Sequence, residues 1–165
     1  MRVKSRHQKI YIPNKLKSEL VQISFFPLTV VVSPSGFGKT TAVREYFKEF
    51  LPDNARLYWY TCFSENSSVN WVGICDLFAG VDSETAKNLK KLGFPTTDSL
   101  IHILVYLKNL CCNKKTYIVI DNFHLFKSDI QQDLVNVLSM HGNPHLHIII
   151  TTQNSEKKKN PILIP

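Results

Sequence analysis

Ser33-Pro34-Ser35-Gly36-Phe37-Gly38-Lys39-Thr40-Thr41 gathers two glycines, a lysine and two threonine hydroxyls into one short stretch. Such a set can hold a chain of phosphates. Phosphates need several donors converging on one point, and a loop whose backbone N–H groups turn inward at a helix N-terminus supplies them with a favourable dipole. Gly36 and Gly38 can open that loop, so Ser35, Gly36, Phe37, Gly38, Lys39, Thr40 and Thr41 are the candidate contacts. Lys39 has the reach and charge for β- and γ-phosphates, Thr40 a hydroxyl for Mg²⁺, and Thr41 a further donor near the α-phosphate. Ser33 stands where the pattern G-x-x-x-x-G-K-[ST] has its first glycine. It closes a strand, where φ need not be positive.

The second half of such a site would be a carboxylate. Tyr117-Ile118-Val119-Ile120-Asp121 is an apolar run that delivers one acid to its end, where open α/β sheets place their ligands. Thr40 and Asp121 are therefore the candidate metal ligands. Asn122 and Gln153, with Asp121, are the candidates at the γ-phosphate end. An amide at 122 can orient a water but cannot take its proton. Gln153, closing Thr151-Thr152-Gln153, can donate a hydrogen bond but supplies no positive charge to a transferring phosphoryl group. Hydrolysis is therefore expected to be slow or absent. Glu45, Asp129 and Asp133 are further possible bases that no spacing singles out.

These residues need a scaffold. Apolar, β-prone runs at 28–33, 57–61, 116–120 and 145–151 alternate with stretches whose apolar residues recur at helical spacing: 15–23, 40–51, around 71–78, 83–92, from 100 to 111, and 130–140. Asp98 or Ser99 is placed to cap the helix that begins at Leu100. Strands alternating with helices predict a parallel, doubly wound sheet.

The 165 residues, 44% of them apolar, suit one domain, read as 1–165 with a basic extension at 1–13 and a tail at 154–165. No apolar run approaches the roughly 18 residues of a membrane span, and nothing behind the first basic residues resembles a signal peptide, so a cytoplasmic protein with no membrane partner is expected. Cys62, Cys75, Cys111 and Cys112 lack metal-ligand spacing and read as buried thiols. The formal charge of +7 is spread along the chain except at Lys157-Lys158-Lys159, which reads as a solvated loop.

Four separated segments carry a family likeness: the loop 33–41, Leu57-Tyr58-Trp59-Tyr60, Val119-Ile120-Asp121-Asn122-Phe123-His124-Leu125, and Leu146-His147-Ile148-Ile149-Ile150-Thr151-Thr152-Gln153. Over about residues 10–155 the chain resembles the P-loop, STAND-type nucleotide-binding domain of MalT-like, LuxR-type ATP-dependent transcriptional regulators. The resemblance implies an α/β, three-layer P-loop NTPase fold with strand order 1-4-3-2, ATP and Mg²⁺ as ligands, self-association of a larger regulator, and DNA contact through a domain outside this chain. It also implies a further strand beyond the fourth, so the β-strand before the phosphate loop is expected to have an unpaired edge and the chain to be part of a larger protein. The family usually has Asp at Asn122 and Arg at Gln153; both departures fall at the γ-phosphate end.

Two other classes compete. A small kinase would need arginines on a lid, and residues 64–113 contain none. A nucleic-acid module would rest on the positive charge alone. Adenine is favoured over guanine only through the resemblance, since no N-K-x-D tetrad is present.

Overall fold

In a computed structural model, which describes residues 18–153 and the strand at 162–164, β1 (Leu28–Val32), β2 (Arg56–Thr61), β3 (Thr116–Asp121) and β4 (Leu146–Thr152) run parallel in the order β2-β3-β4-β1. This is the expected 1-4-3-2 arrangement. Helices α1 (Lys39–Phe50), α2 (Ser67–Ala79), α3 (Ser83–Leu92), α4 (Leu100–Asn109) and α5 (Gln131–Ser139) make the connections.

The edge of β1 differs from expectation. A short strand, β5 (Ile162–Ile164), lies antiparallel on it, pairing Ile162 with Val32 and Ile164 with Val30, so β1 is flanked on both sides over residues 30–32 instead of presenting that edge to another chain. The expected helix at 15–23 lies partly outside the described residues. Its described part is helical at 18–20 and continues as a 3₁₀ turn, Val21–Ser24, that buries Ile23 behind a fully buried Leu20.

Strand alternation divides the core into two layers. Ile118, Ile120, Ile148 and Ile150 face one side, where Trp71, Ile74 and Phe78 of α2, Leu89 of α3, Ile103 and Leu107 of α4 and Leu134 and Leu138 of α5 pack on them. Tyr117, Val119 and Ile149 face the other, against Ala42, Val43, Tyr46 and Phe47 of α1 and Leu20 and Ile23. All six residues of β3 are buried, as suits a strand covered on both faces.

Local chemistry sets the ends of the helices. Asn66 caps α2 by accepting from the Ser68 amide, and Asp82 caps α3 by accepting from that of Glu84. Neither Asp98 nor Ser99 caps α4 through its side chain. Instead Thr96 and Ser99 form a capping box around the turn Thr97–Ser99 that leads into it, because Ser99 already has right-handed helical dihedrals and its hydroxyl is engaged with the Thr96 backbone. Gly73 is a packing requirement: a Cβ there would lie 2.1 Å from the ring of Tyr60. Of the four cysteines, Cys62, Cys75 and Cys112 are buried as expected but Cys111 is exposed. Burial pushes the Cys62 and Cys75 thiols up to about 12, which makes them poor nucleophiles at neutral pH.

Two buried histidines brace the segment that enters β1. His141 Nε2 donates to the Pro27 carbonyl at 3.3 Å while its Nδ1 accepts from the Asn143 amide at 3.0 Å. His147 Nδ1 donates to the Phe26 carbonyl at 2.9 Å, leaving a buried Nε2 with no partner in the described structure. A second proton would meet an N–H donor in one ring and find no acceptor among the described residues in the other. Burial accordingly lowers both pKa values. The unfolded chain therefore binds more protons below its ordinary histidine pKa of about 6.5, and stability is lost as pH falls through and below that value. The urea midpoint is expected to be lower at pH 5.5 than at pH 7.5; an unchanged midpoint would contradict the neutral tautomers.

Candidate functional site

The strand order places the ends of β1, β4 and β3 side by side, so a loop leaving β1 and an acid leaving β3 flank the end of β4. The chain leaves β1 through Ser33, whose amide donates to the Thr152 carbonyl at 3.4 Å, and reaches α1 by way of Gly36 at φ 80° and Gly38 at φ 73°. Side chains rarely adopt that backbone. A Cβ at either glycine would meet nothing within 4 Å, so backbone conformation rather than crowding selects glycine here. Gly38 is the N-cap of α1 and its carbonyl accepts from the Ala42 amide at 2.8 Å. The amides of the first turn, at Lys39, Thr40 and Thr41, precede any intrahelical partner and carry the positive end of the helix dipole.

A recess of about 310 Å³ opens at this helix end, lined by Ser35, Gly36, Gly38, Lys39, Thr40 and Thr41 of the loop, with Asn122 and Gln153 opposite. Eight of the expected residues thus surround one space. Phe37 does not line it and is 58% exposed. Asp121 sits beneath, only 2% exposed, and accepts from the Thr40 hydroxyl at 2.9 Å through Oδ1 and 3.1 Å through Oδ2. Glu45 instead pairs with Lys48 on α1, and Asp129 and Asp133 are exposed residues that do not line the recess.

Lys39 is buried and donates to the carbonyls of Ser33, at 2.8 Å, and Pro34, at 3.0 Å. Burial lowers its pKa, and the nearby Asp121 charge partly restores it. Its ammonium is therefore held on two neutral oxygens, which a bound anion could outcompete by charge. His124 faces the same charge: burial and then Lys39 lower its pKa, against a smaller raising effect of Asp121.

Asn122 adopts φ 56°, the one positive φ outside glycine among the described residues. Asn and Asp tolerate this conformation better than most side chains, and it turns the chain directly from β3 into the 3₁₀ turn Phe123–Leu125. The residue that sequence reasoning passed over is Thr151. It is fully buried on β4, donates to Asp121 Oδ1 and accepts from the Asn122 amide at 3.1 Å. Ile150 pairs with Ile120 in the expected sheet, so the position following Ile150 was the available signal.

The donor set, one hydroxyl and one carboxylate within hydrogen-bond reach of each other beside an open phosphate-sized recess, fits a hard divalent cation. In comparison with known proteins, the profile of the AAA domain matches residues 27–158. The chain is similar to the HTH-type transcriptional regulator MalT of Vibrio parahaemolyticus, 24% identical over 152 residues, which cover 89% of this chain and 16% of that protein. It is similar also to the HTH-type transcriptional regulator MalT of Yersinia pestis, 22% identical over 153 residues, which cover 90% and 16% respectively. The chain thus spans about a sixth of the length of the curated relatives it matches.

Proposed function

This chain belongs to the AAA domain family, and we propose that it is the ATP- and Mg²⁺-binding switch domain of a signal-responsive, STAND-type transcriptional regulator, with slow or absent hydrolysis. The observation that carries the reading is the Thr40–Asp121 pair at 2.9 Å, at the head of a helix that follows two left-handed glycines. In this reading the amides at 36–41 bind the phosphate oxygens, Lys39 leaves the Ser33 and Pro34 carbonyls for the β- and γ-phosphates, and Thr40 and Asp121 hold the cation. Magnesium, when bound, neutralises charge on the phosphates.

Asn122 and Gln153 bring neither a carboxylate nor a cation to the recess, so at the γ-phosphate end they can hold a water but add no base to deprotonate it and no charge beyond that of Lys39 and the metal to stabilise a transfer. Binding without rapid turnover suits a switch, in which nucleotide must favour one of two arrangements by its difference in affinity. Self-association and DNA contact belong to the longer protein in this proposal, with DNA reached through a domain outside this chain, in the cytoplasm.

Calorimetry with ATP, ADP and GTP, each with and without Mg²⁺, tests the reading. Saturable ATP binding strengthened by Mg²⁺ is the expected result, with ATP preferred to GTP. No heat with any of the three would refute it.

A further inference from the structure

Thr151 has no role in the reading above, yet it is the most constrained hydroxyl at the site. It is 0% exposed. Its oxygen uses both capacities of a hydroxyl at once: it accepts from the Asn122 amide at 3.1 Å and donates to Asp121 Oδ1. That carboxylate oxygen also receives Thr40, so two threonines from different elements, α1 and β4, converge on it. Among the described residues, Oδ2 accepts only the longer 3.1 Å contact from Thr40. The two oxygens of Asp121 are thus inequivalent, and the difference is made by β4.

We propose that Thr151 is a positioning residue for the divalent cation: it fixes the Asp121 carboxylate through Oδ1, leaving Oδ2 as the freer oxygen for the metal. The inference rests on the reading of Thr40 and Asp121 as its ligands. A carboxylate at the end of a strand can otherwise rotate about χ2, whose minima are broad. Locking it before the metal arrives removes an ordering cost, and hydrogen-bonded partners behind metal ligands commonly change metal affinity 10–100-fold when lost. The same hydroxyl restrains the peptide between Asp121 and Asn122, so the left-handed residue lining the recess and the metal ligand are aligned by one group. Strand order explains why β4 supplies it: β4 lies between β1 and β3, so a side chain at its end reaches the acid on one neighbour while the phosphate loop leaves the other.

The test compares Thr151→Val, which keeps the shape and removes both hydrogen bonds, with Thr151→Ser, which keeps both. ATP affinity is measured in Mg²⁺ and in EDTA, and the ratio is the gain due to metal. The valine variant is expected to lose about tenfold or more of that gain while its affinity in EDTA stays within about twofold of the parent; the serine variant should restore the ratio. Hydrogen exchange at the Asn122 amide, measured without nucleotide, should speed up in the valine variant alone. Should valine prevent folding, Thr151→Ala replaces it in the same comparison. A metal gain unchanged in the valine or alanine variant overturns the role of Thr151 and leaves the ATP reading standing. A parent protein whose ATP affinity does not respond to Mg²⁺ overturns both.

Discussion

Lys39→Ala is expected to abolish the stabilisation that ATP and Mg²⁺ give under the proposed function, while leaving the unliganded protein about as stable as before. The two halves of this expected result have different causes. A ligand that binds only the folded state adds about 2.7 kcal/mol at a hundredfold excess over its dissociation constant. In a domain of this size that is a rise in Tm of roughly 5–10 °C. Without Lys39 the phosphates lose the one cationic side chain that lines the recess among the described residues, and the rise disappears. The unliganded protein loses the donations to the Ser33 and Pro34 carbonyls and the attraction of the Asp121 charge, whereas removing a buried ammonium whose pKa burial already lowers also removes a desolvation cost that offsets them. Differential scanning fluorimetry of parent and variant, with and without ATP and Mg²⁺, reads both. A full ligand shift in the variant would show that the recess at α1 is not where triphosphate binds.

Much of this site was readable before any coordinates, and the reasons are physical. The loop 33–41 announces itself because two glycines, a lysine and a threonine are each demanded by a different part of one task, and few other tasks demand them in that order. The apolar run of β3 is legible because a strand buried on both faces cannot alternate. Helix α3 is legible at 83–92 because the break Gly93-Phe94-Pro95 bounds it, and the structure adds the Asp82 cap at its start. What escaped depends on distant parts of the chain. Thr151 is an ordinary residue of a β-branched strand until β4 is laid beside β3, whereas Gln153, two residues further on, does line the recess. The box at Thr96 and Ser99 was displaced by Asp98, an attractive cap by type that lies inside the turn. The antiparallel β5 could not be read at all, since Ile162-Leu163-Ile164 is three apolar residues with no period to measure.

Phe78→Ala produces the opposite signature, and the contrast separates fold from site. Phe78 is 1% exposed near the end of α2, within the layer that covers Ile118, Ile120, Ile148 and Ile150. Truncating a buried Phe costs about 3–5 kcal/mol, from lost burial and from the cavity that remains. Against a total of about 5–15 kcal/mol for a native domain, that is a large share. Tm should fall by on the order of 10 °C or more. The cavity opens in the layer opposite α1, whose Ala42, Val43, Tyr46 and Phe47 pack on the other face of the sheet. The loop geometry and the Thr40–Asp121–Thr151 contacts are therefore retained in the folded fraction. ATP and Mg²⁺ should consequently raise the stability of Phe78→Ala by the same free energy as in the parent protein, though from a lower starting point. If the variant folds but has lost its ligand shift, the two layers are coupled through the sheet, and the site depends on packing that its own residues do not touch.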